Sequence, residues 1–159
     1  MDTWWIDEPT LLGSSNPTTE DLEALRAQGF QVLVSLLLEH EQRPRYDLHD
    51  VLALGYVRHN IPVRDFHPPD LAQLAEFVDL LARYPPGTRA VVHCQAGIGR
   101  TGTFAAAYWI AKGLTADEAI TKVRAARPHA VETSEQRTAL EEFAQTRALQ
   151  RSVKSRRSG

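Results

Sequence analysis

The stretch that decides the fold is HCQAGIGRTG, residues 93–102, which lies between a short apolar segment and an alanine-rich one. Glycines at positions 97 and 99 permit positive φ angles and let the backbone approach a ligand closely. A loop that leads into a helix points its N–H groups inward, and the helix adds its positive dipole end, so the two together bind anions. The stretch therefore predicts an anion-binding loop that begins with Cys94.

Cys94 is the only cysteine, which excludes an intramolecular disulfide, a Cys-x-x-Cys redox pair and a cysteine-rich zinc site. Two interpretations remain, a buried inert thiol or a reactive nucleophile. The positive field of the loop favours the nucleophile. Arg100 can bind two phosphate oxygens bidentately, and the Thr101 hydroxyl can donate to the sulfur when it becomes a leaving group.

Working outward from the loop, strands and helices are predicted to alternate. Ala90–His93 precedes the loop as a short central strand, and residues 31–38 and 56–63 are two further strands. Apolar periodicity and capping residues predict five helices, over about 18–28, 71–84, 101–112, 115–127 and 133–149. This order is typical of an α/β domain with a mostly parallel central sheet flanked by helices.

A chain of 159 residues fits one domain, predicted over residues 1–150, followed by a basic and disordered tail over 151–159. The net charge is −2, but residues 1–150 alone carry 14 basic and 20 acidic side chains, which argues against a nucleic-acid-binding face. No secretory signal and no apolar stretch long enough to span a bilayer is present. We expect a cytoplasmic, monomeric protein that contacts neither nucleic acid nor membrane.

Residues 93–102 match, at every defined position, the signature His-Cys-x-x-Gly-x-Gly-Arg-Thr/Ser-Gly of the cysteine-based protein tyrosine phosphatases. Residues 61–69, IPVRDFHPP, resemble the corresponding loop of the small atypical dual-specificity phosphatases. Residues 127–136, RPHAVETSEQ, are similar to a stretch of one compact branch of that group, except that His129 replaces a glycine. The resemblance covers roughly residues 3–147 and implies the protein tyrosine phosphatase fold.

The resemblance also implies roles for individual residues. Cys94 would be the nucleophile, and the loop would bind phosphate through Gln95, Ala96, Gly97, Ile98, Gly99 and Arg100. His93 would hydrogen-bond the loop without touching substrate.

Phosphoester cleavage needs a proton for the leaving group, and Asp65, on a loop upstream of Cys94, matches the general-acid position of the family. The alternative for Asp65 is a turn-forming aspartate before Pro68 and Pro69. Gln136 either orients the water that attacks the phosphocysteine or only completes a capping box with Thr133.

Four other side chains leave alternatives open. Phe66 and His67 either line the pocket mouth or simply pack, and Glu39 and Glu41 either orient Arg100 or are solvated loop charges.

The predicted activity is hydrolysis of phosphomonoesters without a metal or organic cofactor. The predicted substrate is phosphotyrosine in proteins, with phosphoserine and phosphothreonine as further candidates, because the variable loop positions carry no lysine. Two alternatives are a phosphatase of lipids or small molecules and a non-catalytic phosphate-binding module.

Overall fold

The computed structural model describes residues 1–158. Its strands, in chain order, are β1 (Thr3–Asp7), β2 (Leu11–Ser14), β3 (Phe30–Ser35), β4 (Val57–Asn60) and β5 (Arg89–His93). Its helices are α1 (Thr19–Ala27), α2 (Leu48–Ala53), α3 (Leu71–Arg83), α4 (Gly99–Ala111), α5 (Ala116–Ala126) and α6 (Ser134–Arg157).

The strands form one sheet in the order β1-β2-β5-β3-β4. Strand β5 lies between β2 and β3 and is parallel to both, β4 is parallel to β3, and only β1 runs antiparallel, at the edge. The predicted α/β class with a mostly parallel sheet is confirmed. Because ligands of such sheets bind beyond the carboxyl ends of the strands, the residues that follow β5 lie where a site is expected.

Alternating side chains of the sheet build two hydrophobic clusters. Ala90 and Val92 of β5 face one side, where α3, α4, α5 and α6 contribute the larger cluster. Val91 faces the other side and packs with Leu22 of α1 and Val51 of α2. A strand covered on both faces has a continuous apolar run, which is why the middle of β5, Ala90–Val92, contains only apolar residues.

The caps that predict helix starts are present in the structure. Thr18, Asp70, Thr115 and Thr133 each form a capping box with the residue three positions later. Each side chain satisfies a backbone N–H that has no partner inside the helix.

The strand boundaries and three short elements differ from the prediction. Strand β3 ends at Ser35 instead of residue 38, because the N–H of Leu37 turns to the Ser35 hydroxyl at 3.3 Å. Strand β4 covers only Val57–Asn60, since Pro62 cannot donate to a ladder. Strands β1 and β2 and helix α2 were not expected, and each is too short for its periodicity to stand out.

Helix α6 continues to Arg157, whereas the sequence predicts an end near Leu149 and disorder from 151 onward. The Arg151 guanidinium donates to the Ile110 carbonyl at 2.9 Å and so satisfies an acceptor at the open end of α4. The prediction of a disordered tail is therefore wrong for residues 151–157, and Gly159 lies outside the described residues. Within residues 1–158, no helix combines the length and the apolar character needed to cross a membrane.

Candidate active site

Cys94 directly follows β5, at the carboxyl edge of the sheet, and its side chain is 2% exposed. Two groups donate hydrogen bonds to its Sγ, the Gly97 backbone N–H at 3.2 Å and the Thr101 hydroxyl at 3.1 Å. Donors aimed at a sulfur atom stabilise negative charge on it. The structure thus places Thr101 against the predicted nucleophile, as the sequence suggests.

The loop backbone is pressed against the end of β2 at Gly97. This glycine has a φ of +73°, and a Cβ there would lie 2.6 Å from the carbonyl carbon of Ser14. The indole N–H of Trp4 donates to the Gly97 carbonyl at 2.9 Å. Only glycine fits this position, and the bond from Trp4 fixes the loop in place.

A buried asparagine holds the outer side of the same loop. The Asn16 backbone N–H donates to the Gln95 carbonyl at 3.0 Å, and its side-chain amide donates to Gln95 Oε1 at 3.2 Å. Gln95 and Ala96 themselves are exposed. Both residues are therefore accessible to a ligand.

Helix α4 starts tightly against residues 130–132. Its N-cap residue, Ile98, provides no side-chain hydrogen bond, so the first turn keeps open N–H groups. A Cβ at Gly99 would collide with the Glu132 carboxylate, and one at Gly102 would lie 2.6 Å from the Ala130 Cβ. The helix begins at Gly99, two residues earlier than predicted, because both glycines allow this close packing.

Arg100 is the largest fully buried side chain, at 1% exposure. Its Nη1 donates to the Val63 carbonyl at 3.0 Å, and its Nη2 donates to Gln42 Oε1 at 2.8 Å. Nη2 also lies 3.3 Å from Asp65 Oδ1, while the buried Nε has no partner. A buried cation with an unused N–H beside a cysteine can bind an oxyanion there.

Asp65 lies on the loop between β4 and α3, and its Oδ1 is 3.3 Å from Arg100 Nη2. Its Oδ2 accepts from the Gln42 side-chain amide at 3.2 Å, and its Oδ1 accepts from the Phe66 backbone N–H at 3.0 Å. Phe66 has a φ of +62° and is 60% exposed, so it does not pack in the core. His67 Nδ1 lies 2.9 Å from the Asp65 carbonyl and helps to fix the turn.

Neither loop glutamate reaches Arg100. Glu39 pairs with Arg58, and Glu41 lies 3.5 Å from Arg64. The side chain of this loop that does bond to Arg100 is Gln42, and no sequence signal distinguishes it from an ordinary loop glutamine.

His93 is fully buried at the end of β5 and belongs to a polar chain that runs away from the pocket. Arg58 Nε donates to the Tyr46 hydroxyl at 3.0 Å, and that hydroxyl lies 2.9 Å from His93 Nε2. The hydroxyl therefore donates to Nε2, which places the imidazole proton on Nδ1, 3.2 Å from the Cys94 carbonyl. Burial lowers the pKa of His93 to about 3, so the ring is neutral. Burial also raises the pKa of Tyr46.

Gln136 is fully buried at the start of α6. Its Oε1 accepts from the backbone N–H groups of Glu132 at 2.8 Å and Thr133 at 3.2 Å, which is the capping role that the sequence predicts. Its Nε2 has no partner and remains a free donor. The other predicted role of Gln136, orientation of the attacking water, stays a prediction.

The mostly parallel sheet, the cysteine that follows its central strand, the glycine-rich loop and the buried arginine together form the arrangement expected of a cysteine-based phosphatase with the protein tyrosine phosphatase fold. Among residues 1–158, no group of three or more His, Cys, Asp or Glu side chains is arranged to hold a metal ion.

Comparison with known proteins identifies the group. The family model described as "Tc-R-P: Polymorphic toxin system, DSP-PTPase phosphatase" matches residues 10–114, so the chain belongs to this family of dual-specificity phosphatases. The predicted assignment to the small atypical dual-specificity phosphatases of the cysteine-based superfamily is confirmed.

Three relatives illustrate the similarity. Protein tyrosine phosphatase domain-containing protein 1 of Mus musculus is 29% identical over 167 residues, which cover 94% of this chain and 22% of that protein. Phosphatidylglycerophosphate phosphatase PTPMT2 of Arabidopsis thaliana is 30% identical over 145 residues, which cover 88% of this chain and 62% of that protein. The crystal structure of Tk-PTP in the active form has a TM-score of 0.81 and 32% identity, covering 90% of this chain and 96% of the other. The chain spans about a fifth of the length of the mouse relative.

Proposed function

We propose that this phosphatase hydrolyses phosphomonoesters through a phosphocysteine on Cys94, and that its preferred substrate is phosphotyrosine in proteins, with phosphoserine and phosphothreonine as further substrates. The observation that carries the proposal is that the buried Nε of Arg100 has no hydrogen-bond partner among residues 1–158. Arg100 directly follows the loop that begins with Cys94. A phosphate oxygen would satisfy that N–H, and the loop amides would bind the other oxygens.

In the first step the Cys94 thiolate attacks phosphorus in line with the leaving group. The S–P bond forms as the ester P–O bond breaks, and Asp65 gives its proton to the departing oxygen. Arg100 and the loop amides stabilise the charge on the equatorial oxygens throughout. His93 takes no part in the proton transfer, because it is neutral and hydrogen-bonded to the Cys94 carbonyl.

In the second step water attacks phosphorus, Asp65 accepts a proton from that water, and the S–P bond breaks to release phosphate. The Thr101 hydroxyl, 3.1 Å from Sγ, stabilises the sulfur as the leaving group. We assign the orientation of the water to Gln136, whose free Nε2 can donate to it while its Oε1 remains in the helix cap.

A protein substrate is supported by the loop composition and by the rim. The variable loop residues Gln95, Ala96 and Ile98 offer no second cation to a polyphosphorylated headgroup. Phe66 presents an exposed aromatic ring next to the general acid, which suits an aryl phosphate. The predicted cytoplasmic location and monomeric state belong to this proposal as well.

A lipid phosphomonoester is the second candidate, because PTPMT2 of Arabidopsis thaliana, a phosphatidylglycerophosphate phosphatase, is 30% identical over 145 residues. The third, a non-catalytic phosphate-binding module, is disfavoured because Cys94, Arg100 and Asp65 are all present.

Turnover of an aryl phosphate by the wild type and by Cys94→Ser tests the activity. We expect turnover only with the wild type, while both bind inorganic phosphate and unfold at similar temperatures. Equal turnover by the two proteins would exclude the phosphocysteine.

Capture by Cys94→Ser then identifies the substrate from a panel of phosphopeptides, phosphoinositides and nucleotides. Selective capture of phosphotyrosine peptides supports the protein substrate, and selective capture of phosphoinositides contradicts it.

A further inference from the structure

We propose that Gln42 is a positioning residue, which holds Asp65 over the pocket after the substrate phosphate has displaced that carboxylate from Arg100. This inference rests on the proposed function, since it assumes that Asp65 is the general acid. Gln42 is half-buried on the loop between β3 and α2, and its side chain bonds to both residues at once.

The two ends of the Gln42 amide have opposite partners. Its Oε1 accepts from Arg100 Nη2 at 2.8 Å, and its Nε2 donates to Asp65 Oδ2 at 3.2 Å. A side-chain amide carries its acceptor and its donors on separate atoms, so a glutamine can accept from a guanidinium and donate to a carboxylate at the same time. Gln42 therefore links the phosphate-binding residue to the proposed acid.

The guanidinium of Arg100 has two edges with different tasks. Nη1 donates to the Val63 carbonyl at 3.0 Å, which anchors the side chain to the protein. On the other edge, Nε has no hydrogen-bond partner among residues 1–158, and Nη2, which donates to Gln42, also lies 3.3 Å from Asp65 Oδ1. A phosphate bound bidentately by Nε and Nη2 would therefore compete with the Asp65 carboxylate for this edge of the guanidinium.

Displacement from Arg100 would leave Asp65 poorly attached. The side chain of Asp65 is 40% exposed, and apart from Gln42 its carboxylate accepts only from the Phe66 N–H, within its own loop. After phosphate binds, the bond from Gln42 Nε2 to Oδ2 would thus still attach the carboxylate to the rest of the protein. It leaves Oδ1, which otherwise accepts only from the Phe66 N–H among the described residues, to carry the proton to the leaving oxygen.

The test compares leaving groups, because general acid catalysis matters most when the leaving oxygen is basic. We expect Gln42→Met, which has a similar length and no hydrogen bonds of this kind, to lower kcat for phenyl phosphate about tenfold and kcat for p-nitrophenyl phosphate less than about threefold. Gln150→Ala, an exposed glutamine of α6, is the control and should change neither value.

A double-mutant cycle separates positioning from a general structural effect. In an Asp65→Ala background, Gln42→Met should lower kcat for phenyl phosphate by less than about twofold, since its target is gone. An equal loss with both substrates, or the same loss with and without Asp65, would overturn the assignment of Gln42. If Asp65→Ala itself spared phenyl phosphate, the proposed function would fail instead, so the two failures are distinguishable.

Discussion

Replacing His93 with asparagine is expected to remove a large part of the loss of folding stability that the protein shows in mild acid. Burial lowers the pKa of His93 from 6.5 to about 3, and the hydrogen bond to the Cys94 carbonyl only partly opposes this shift. As the pH falls below 6.5, His93 therefore becomes protonated in the unfolded chain but stays neutral in the folded protein. Because the folded pKa is depressed, the contribution to stability is complete above pH 6.5 and is lost as the pH falls toward 3.

The size of the effect follows from one proton. Each pH unit below the unfolded pKa costs about 1.4 kcal/mol, so between pH 8 and pH 5 this histidine removes about 2 kcal/mol from the free energy of unfolding. Urea unfolding of wild type, His93→Asn and the exposed control His49→Asn at both pH values measures it. Only the difference between pH values counts, which cancels any constant cost of the substitution. If wild type and His93→Asn lose the same free energy between pH 8 and pH 5, the neutral buried imidazole is the wrong explanation.

Four further outcomes test other parts of the structure. Gly97→Ala should lower aryl phosphate turnover about tenfold or more, because its Cβ would strike the Ser14 backbone, whereas Gly87→Ala, at a φ of +87° with open space around it, should reduce only stability. Tyr46→Phe should cost about 1–3 kcal/mol in urea unfolding, since it leaves buried partners without a hydrogen bond. Phe77→Ala, in the larger core cluster, should cost about 3–5 kcal/mol in the same assay without changing KM. Peroxide should inactivate the enzyme at Cys94 without forming an intrachain disulfide, which intact mass under non-reducing conditions will show.

The sequence predicts what depends on neighbours along the chain. Residues 93–102 contain the nucleophile, the arginine, the threonine and all the loop glycines within ten positions, so the strand, the loop and the helix can be inferred together. The capping boxes at Thr115 and Thr133 are equally local. Asp65, the proposed general acid, lies on a different loop, and the resemblance to a family, rather than any pattern of spacing, points to it.

The residues that the sequence does not reveal are those that act across the fold. Gln42 is 58 positions from Arg100 and 23 from Asp65, and Tyr46 is 47 from His93. Trp4 reaches Gly97 over 93 positions, through a strand pair too short to predict. No periodic pattern in the neighbouring sequence distinguishes these three residues. The order of the strands in the sheet is what brings them to the site.

The polar contacts around the site fall into two groups, hydrogen bonds that hold the loop and an ion pair that a substrate phosphate could replace. Trp4 and Asn16 donate to the loop carbonyls of Gly97 and Gln95, and His93 hydrogen-bonds the Cys94 carbonyl, so the protein itself holds these three carbonyl groups. The contact of Arg100 with Asp65 is different, because the carboxylate lies 3.3 Å from an Nη2 that a bound phosphate oxygen would also approach. A cradle that stays rigid needs no reorganisation when charge develops on the phosphoryl group, which is where electrostatic catalysis gains most. In the proposed mechanism, this ion pair couples substrate binding to the release of Asp65 for proton transfer, so the same guanidinium serves both events.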